Sequence, residues 1–307
     1  MKILIIGGTG YIGSRLFFDL YQKYSIDTID LEWFGNESNS KNIKQDFAHI
    51  DESFILNYDI IILLAGHSSV GMCIDNMMPT FNNNVRNFCS LLQKIHNVSN
   101  QKQVKFIYAS SSSVYGSCHD RISLESDACF SPHNYYDLSK QEIDYYSAIT
   151  KDIEYYSLRF GTVCGWSTNI RNDIMLNAMF RSFKDSNKIF CMNQSNYRPI
   201  LDISDLSAAV ETIIAKGNSQ KRGVYNLVSF NSTIGDIAIK TTEELDCELV
   251  YENSGRNSTY SFSASNEKFC NAFDFKFKGS IKTIIDSLKN PQAAYIMSGR
   301  NNKVNYD

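Results

Sequence analysis

Tyr136-Asp137-Leu138-Ser139-Lys140 sets a phenol and an ammonium four residues apart, which brings both to one face of a helix. A phenol that titrates near pH 10 is a poor base at neutrality. A neighbouring cation stabilises the phenolate and lowers that value, so the pair can draw a proton from an alcohol. Tyr135 is out of register, because its partner four residues on is Ser139. The same spacing also occurs on surface helices whose lysine is merely solvated. A second cluster singles this one out: Ser110-Ser111-Ser112-Ser113-Val114-Tyr115-Gly116 follows directly on an apolar run ending at Ala109. Ligands of open α/β sheets bind beyond the carboxyl ends of the strands. A seryl hydroxyl placed there can donate to the oxygen of a reacting carbinol.

Gly7-Gly8-Thr9-Gly10-Tyr11-Ile12-Gly13 lies between an expected strand and an expected helix. Glycines at that junction let the backbone turn tightly and let a pyrophosphate approach the helix N-terminus, where free N–H groups and the helix dipole favour negative charge. Asp30 stands at the end of the next strand, 17 residues beyond Gly13. A carboxylate there accepts hydrogen bonds from both adenosine ribose hydroxyls and repels a 2′-phosphate, so the pattern predicts a dinucleotide site that prefers NAD over NADP.

These groups need strands and helices to position them. Lys2–Ile6 reads as a strand, Tyr11–Lys23 as a helix and Ser25–Asp30 as a strand. Asp59–Leu64 and Lys105–Ala109 are continuous apolar runs, as expected of strands buried on both faces of a parallel sheet. Pro79–His96 carries apolar residues at spacings of 3 and 4. A helix near Tyr136–Thr150 then leads to a strand at Glu154–Phe160. The alternation predicts an α/β chain with a Rossmann-type doubly wound parallel sheet. The second half is less regular: helices near Ile174–Phe183, Leu206–Ala215, Thr233–Leu245 and Ile281–Leu288, with strands near Pro199–Ile203, Val224–Leu227 and Glu248–Tyr251. The expected division is a cofactor domain over 1–165 with later segments returning to it, a smaller mixed α/β substrate lobe over 166–290, and a polar tail over 291–307.

The 307 residues carry 30 basic and 33 acidic side chains, a net charge of −3 that argues against nucleic-acid binding. No apolar run has the length of a membrane span, and the start lacks the form of a signal peptide, so a soluble cytoplasmic protein is expected. Eight cysteines without CxxC spacing and five dispersed histidines without HExxH argue against a metal site. Buried free thiols are the expectation.

Together these motifs resemble the extended short-chain dehydrogenase/reductases, the NAD-dependent nucleotide-sugar epimerase and dehydratase family, over residues 1 to about 288. Within it they are similar to UDP-glucose 4-epimerases and related C4 oxidoreductases. The resemblance implies that Ser111, three residues before Val114 and 25 before Tyr136, is the catalytic hydroxyl beside Tyr136 and Lys140. It assigns the cofactor Gly7, Gly10, Tyr11, Ile12, Gly13 and Asp30, together with Tyr136 and Lys140, the latter at the nicotinamide ribose. It adds Asp46-Phe47 at the adenine, Leu64-Ala65-Gly66, Asn84 of Asn84-Val85, and Phe160 near the nicotinamide. For a nucleotide-diphosphate sugar it implies Ser111, Ser113, Thr162, Asn172 of Asn172–Asn177, and two phosphate arginines, Arg198 and Arg256, whose planar forks suit phosphate oxygens. It also implies a homodimer joined through the helices near Pro79–His96 and Tyr136–Thr150.

Departures from the family narrow the chemistry. Dehydratases carry Asp-Glu where this chain has Ser112-Ser113, and decarboxylases carry Glu at the position of Ser113. The 4-epimerases usually have Ala-Thr there, and Ser113 keeps a hydroxyl. The lysine of many galactose epimerases is replaced by Ser68, beside His67, which is read either as a loop residue or as a ligand contact and stays outside the catalytic set. A 4-epimerase working through a 4-keto sugar is the leading expectation. A net C4 dehydrogenase or reductase, and a non-catalytic NAD-sensing regulator, stand as alternatives.

Overall fold

The computed structural model describes residues 1–37, 41–118, 121–127, 132–252 and 260–289. Cys129, Arg256 and the expected tail over 291–307 lie outside the described residues.

Strands β1 (Lys2–Ile6), β2 (Ser25–Ile29), β3 (Asn42–Ile43), β4 (Ile60–Leu63) and β5 (Lys105–Ser111) join Glu154–Phe160 and Gly223–Leu227 in one seven-stranded sheet. From one edge the order is β3, β2, β1, β4, β5, Glu154–Phe160, Gly223–Leu227, and every pairing is parallel. The continuous apolar runs follow from this arrangement. Ile3, Ile5, Ile60, Ile62 and Ile107 enter one core, and their neighbours Leu4, Ile6, Ile61, Leu63, Phe106 and Tyr108 enter the other. Strand side chains alternate between faces, so covering both faces requires apolar residues at every position. The helices Tyr11–Leu20 and Ile203–Lys216 bury Leu16, Leu20, Leu206, Val210 and Ile213 on the first face. Asn87–Val98 and Tyr135–Ile149 bury Phe88, Leu91, Leu92, Ile95 and Ile143 on the second. The strand order reverses between β1 and β4, where open α/β sheets form their ligand crevice.

The single helix expected over Pro79–His96 is divided. A short turn at Met77–Thr80 passes through a π-helical turn at Phe81–Arg86 before the regular helix Asn87–Val98. A π-turn adds a residue to the helical circuit and re-aims the side chains inside it, here Asn84. β5 runs two residues beyond the expected Ala109, so Ser110 and Ser111 belong to the strand and pair in register with Arg159 and Phe160.

The second lobe is interleaved with the first. Thr162–Cys164, Tyr197–Asp202 and Phe230–Thr233 form a three-stranded sheet, and Lys188–Cys191 pairs with Glu248–Tyr251. Gly223–Leu227, which lies between these segments in the chain, returns to the edge of the main sheet. One core extends from Ile3 through Phe180 and Ile237 to Leu288, so both lobes share a single buried interior.

Candidate active site

At the β1–β4 switch a cleft of about 920 Å³, part of it open to solvent, is lined by the glycine turn, Asp30, Asp46, Phe47 and Leu64-Ala65-Gly66. The glycines have separate roles. Gly7 has φ +88°, and a Cβ there would lie 2.5 Å from the Ala65 nitrogen; a Cβ on Gly13 would lie 2.0 Å from the Gly7 carbonyl oxygen. Both are required for the turn to pack against β4 and its own first helical turn. At Gly10 the nearest atom to an added Cβ is 3.4 Å away, so the protein itself tolerates a methyl group there. Gly10 is also the N-cap of Tyr11–Leu20 and brings no side-chain cap, which leaves the helix N-terminus facing the cleft.

The Asp30 carboxylate is fixed by two backbone donors, Thr9 N–H at 3.1 Å and Glu32 N–H at 2.7 Å. Asp46 caps the turn Phe47–His49 through Ala48 N–H at 2.9 Å. Tyr11 lines the cleft, but its hydroxyl points into the protein and donates to the Gly165 carbonyl at 2.7 Å, which pins the first helix to the second lobe. Asn84 is buried with its amide fully engaged. It accepts from His67 N–H at 2.8 Å and donates to the His67 carbonyl at 3.1 Å and to Ser139 Oγ at 3.0 Å. It therefore ties the loop after β4 to the helix that carries Tyr136 and Lys140. His67 itself is buried, its Nδ1 3.2 Å from Thr80 Oγ1, with burial pulling its pKa down.

Ser111, Tyr136 and Lys140 converge at the end of β5. Lys140 Nζ donates to the Ala109 carbonyl at 2.8 Å and lies 5.9 Å from the centre of the Tyr136 ring. Burial lowers the Lys140 pKa to about 8, against the opposing pull of Asp144. The Tyr136 phenol departs from the sequence expectation. Burial raises its pKa to about 12, and the Arg171 charge offsets this only in part. The ammonium effect expected from the spacing is not among the influences on Tyr136, and desolvation, which penalises the phenolate, comes first.

The remaining predicted residues lie at the end of Glu154–Phe160 and on the segments after it. Thr162 pairs in parallel register with Ile200, two residues beyond Arg198 on the adjacent strand. Arg198 packs 5.8 Å from the centre of the Phe262 ring and makes no ion pair or hydrogen bond among the described residues. Asn172 is 6% exposed, and neither its Oδ1 nor its Nδ2 has a partner. Phe160 is buried beside the site, its carbonyl accepting from Ser112 Oγ at 2.8 Å.

Residues 3–227 match the model of the NAD dependent epimerase/dehydratase family. The chain belongs to that family. It is 26% identical over 247 residues to Protein CapI of Staphylococcus aureus, covering 72% of each chain. With the UDP-glucose 4-epimerase of Lactobacillus helveticus it shares 26% identity over 183 residues, 55% of this chain and 54% of the relative. The UDP-glucuronic acid 4-epimerase of Bacillus cereus, solved with UDP-glucuronic acid and NAD, superposes with a TM-score of 0.82 at 20% identity, over 97% of this chain and 99% of that one.

Family members are NAD-dependent enzymes, and the cleft fits that cofactor on its own evidence. The glycine turn has no room for side chains at Gly7 and Gly13, a fixed carboxylate stands at Asp30, and the buried Asn83 Oδ1 at the cleft wall has no partner. Sequence reasoning passed over Asn83, and also Trp33, Phe34, Gln45 and Arg171, which line the same cleft as Ser68. Arg171 adjoins the predicted Asn172. It forms a two-pronged pair with Asp173, Nε to Oδ1 at 3.0 Å and Nη2 to Oδ2 at 2.6 Å, and its charge reaches Tyr136. Trp33 stands three residues beyond Asp30 and is 43% exposed, and a tryptophan just past an expected strand end was a signal available in the sequence.

Proposed function

We propose that this family member is a nucleotide-sugar 4-epimerase acting by reversible hydride transfer at the sugar C4 through a 4-keto sugar. The observation that carries the reading is the meeting of Ser111, Tyr136 and Lys140 at the end of β5, with Ser112 and Ser113 where elimination or decarboxylation would need acids. Bound NAD supplies the hydride acceptor and donor. Tyr136 exchanges a proton with the C4 oxygen, with Ser111 beside that oxygen. Lys140 brings a positive charge to the phenol and holds the far side of the site through Ala109. Arg198, a half-buried cation with no carboxylate partner among the described residues, and Asn172, a buried amide with no partner among them, would bind the diphosphate and the nucleotide, together with Thr162, Ser113 and Arg256. A diphosphate anchored in this way leaves the sugar free to present either face.

Absorbance at the NADH band, followed during turnover of a panel of nucleotide sugars with NMR of the products, tests the reading. The expected result is a C4 epimer with no net NADH. Steady NADH accumulation would instead establish a net C4 dehydrogenase. We further propose a homodimer. Ile74, Met77, Met78 and Phe81, with Leu138, Tyr145, Tyr146 and Ile149, leave an apolar face exposed along the helical segments that family resemblance implicates in pairing. Sedimentation of the purified protein at twice the 34.9 kDa chain mass would bear this out, and a monomer would refute it.

A further inference from the structure

Asp137, inside the Tyr136–Lys140 motif, is 2% exposed and receives three donors. Ser113 Oγ reaches Oδ1 at 2.5 Å, and Asn134 Nδ2 and Tyr260 Oη each reach Oδ2 at 2.6 Å. The orientation of the Asn134 amide is fixed, because its Oδ1 caps the helix by accepting Asp137 N–H at 2.9 Å. A seryl hydroxyl has one proton. That of Ser113 is committed to Asp137, so Ser113 Oγ accepts from Ser111 Oγ, 2.7 Å away. The Ser111 proton is then committed in turn, and its lone pairs are left for Ser113 N–H at 3.2 Å and the Tyr136 phenol. A single carboxylate thus orders every hydroxyl between itself and Tyr136.

We infer that Asp137 is a positioning residue that fixes the direction of the Ser111–Ser113 pair, holding Ser111 as an acceptor toward Tyr136 and keeping Tyr136 in its acid form in the resting site. The inference rests on the reading of Tyr136 as the proton carrier. Before Ser111 can donate to an oxygen at C4, its bond to Ser113 must break, so the chain opposes the phenolate by direction as well as by charge. The other groups facing Tyr136 are Arg171, Lys140 and Cys73; Arg171 favours the phenolate and Cys73 opposes it. Around Asp137 stand Tyr260, the His133 ring 6.2 Å from that of Tyr260, and the Arg198 charge acting on Tyr260.

The test is an NMR titration of the NAD-loaded protein labelled with ¹³Cζ-tyrosine, in which the Tyr136 signal is identified by its loss in Tyr136→Phe. Asp137→Asn keeps the side-chain volume and removes the charge, and the Tyr136 midpoint should fall by roughly one unit. Ser113→Ala keeps both the helix cap and the charge, frees the Ser111 proton, and should lower the midpoint by a smaller amount. An unmoved midpoint in either variant overturns the inference and leaves Asp137 as part of the helix start. If Asp137→Asn does not fold, Ser113→Ala decides alone. The titration needs no turnover, so failure of the epimerase reading would appear separately, as absent product with the shift intact.

Discussion

The two halves of the site are built in opposite ways. On the cofactor side the backbone does the positioning: Gly7 and Gly13 are held by contacts a methyl group would break, and Asp30 is gripped by two N–H groups. On the substrate side the polar groups wait. Among the described residues, Asn172 has no partner for either amide atom and Arg198 has no carboxylate or acceptor. Buried polar groups without partners cost about 1–3 kcal/mol each, so a ligand that supplies those partners gains what the empty site lacks. On this reading the cofactor half is largely preformed, with Asn83 Oδ1 its one unpartnered group named above, whereas the proposed substrate half is completed by what it binds.

Tyr136 stands where the halves meet, and the largest effect is expected there. Tyr136→Phe removes one hydroxyl and should reduce kcat by roughly 10² to 10⁴, leaving NAD affinity nearly unchanged. Tyr135→Phe, at a more exposed position, should cost far less. Steady-state kinetics beside a cofactor titration check both, and a large loss of NAD binding in Tyr136→Phe would break the division into halves. Next in size is Gly13→Ala. Its Cβ collides with the Gly7 carbonyl, so the protein should lose about 3 kcal/mol of stability, measured by urea unfolding without cofactor. Gly10→Ala should cost the ligand-free protein under about 1 kcal/mol, yet weaken NAD binding, because Gly10 caps the helix end that faces the cleft.

This division also explains what could be read in the sequence. The glycine turn, Asp30, and the strands β1, β4 and β5 were legible because local sterics and two-sided burial dictate their residue types. The π-turn at Phe81–Arg86 was not, since its cause is a distant demand: Asn84 must reach both His67 and Ser139. The raised Tyr136 pKa was misread for a related reason, because i,i+4 spacing reports a neighbour but not desolvation. Arg171 and Asp137 escaped notice because their importance lies in tertiary partners, Tyr136 for one and Ser113 with Tyr260 for the other.

The substrate half should respond in KM. Arg198→Ala removes a half-buried cation that pairs with nothing described, so the ligand-free protein should keep its stability or gain a little. KM for the nucleotide sugar should rise by roughly ten- to a hundredfold, the value of about 1.5–3 kcal/mol for hydrogen bonds to a charged group. Equal losses in kcat and NAD affinity would show that Arg198 belongs to the other half.

The smallest effect concerns Lys140 before any ligand binds. Its folded-state pKa of about 8 lies below the ordinary lysine value of 10.5, with burial as the leading cause. Between those values the unfolded chain binds more protons than the folded one, so this group makes stability rise with pH across that window. Below about pH 8 both states are protonated, and the folded state carries the full cost of a buried ammonium. Lys140→Met removes the group at similar length. The variant should therefore be more stable than the parent at pH 7, and the difference should shrink as pH climbs toward 10. Urea unfolding of both ligand-free proteins across that range measures it. A constant difference at every pH would mean that Lys140 is solvated in the ligand-free site, and would move it from the preformed half to the half that a ligand completes.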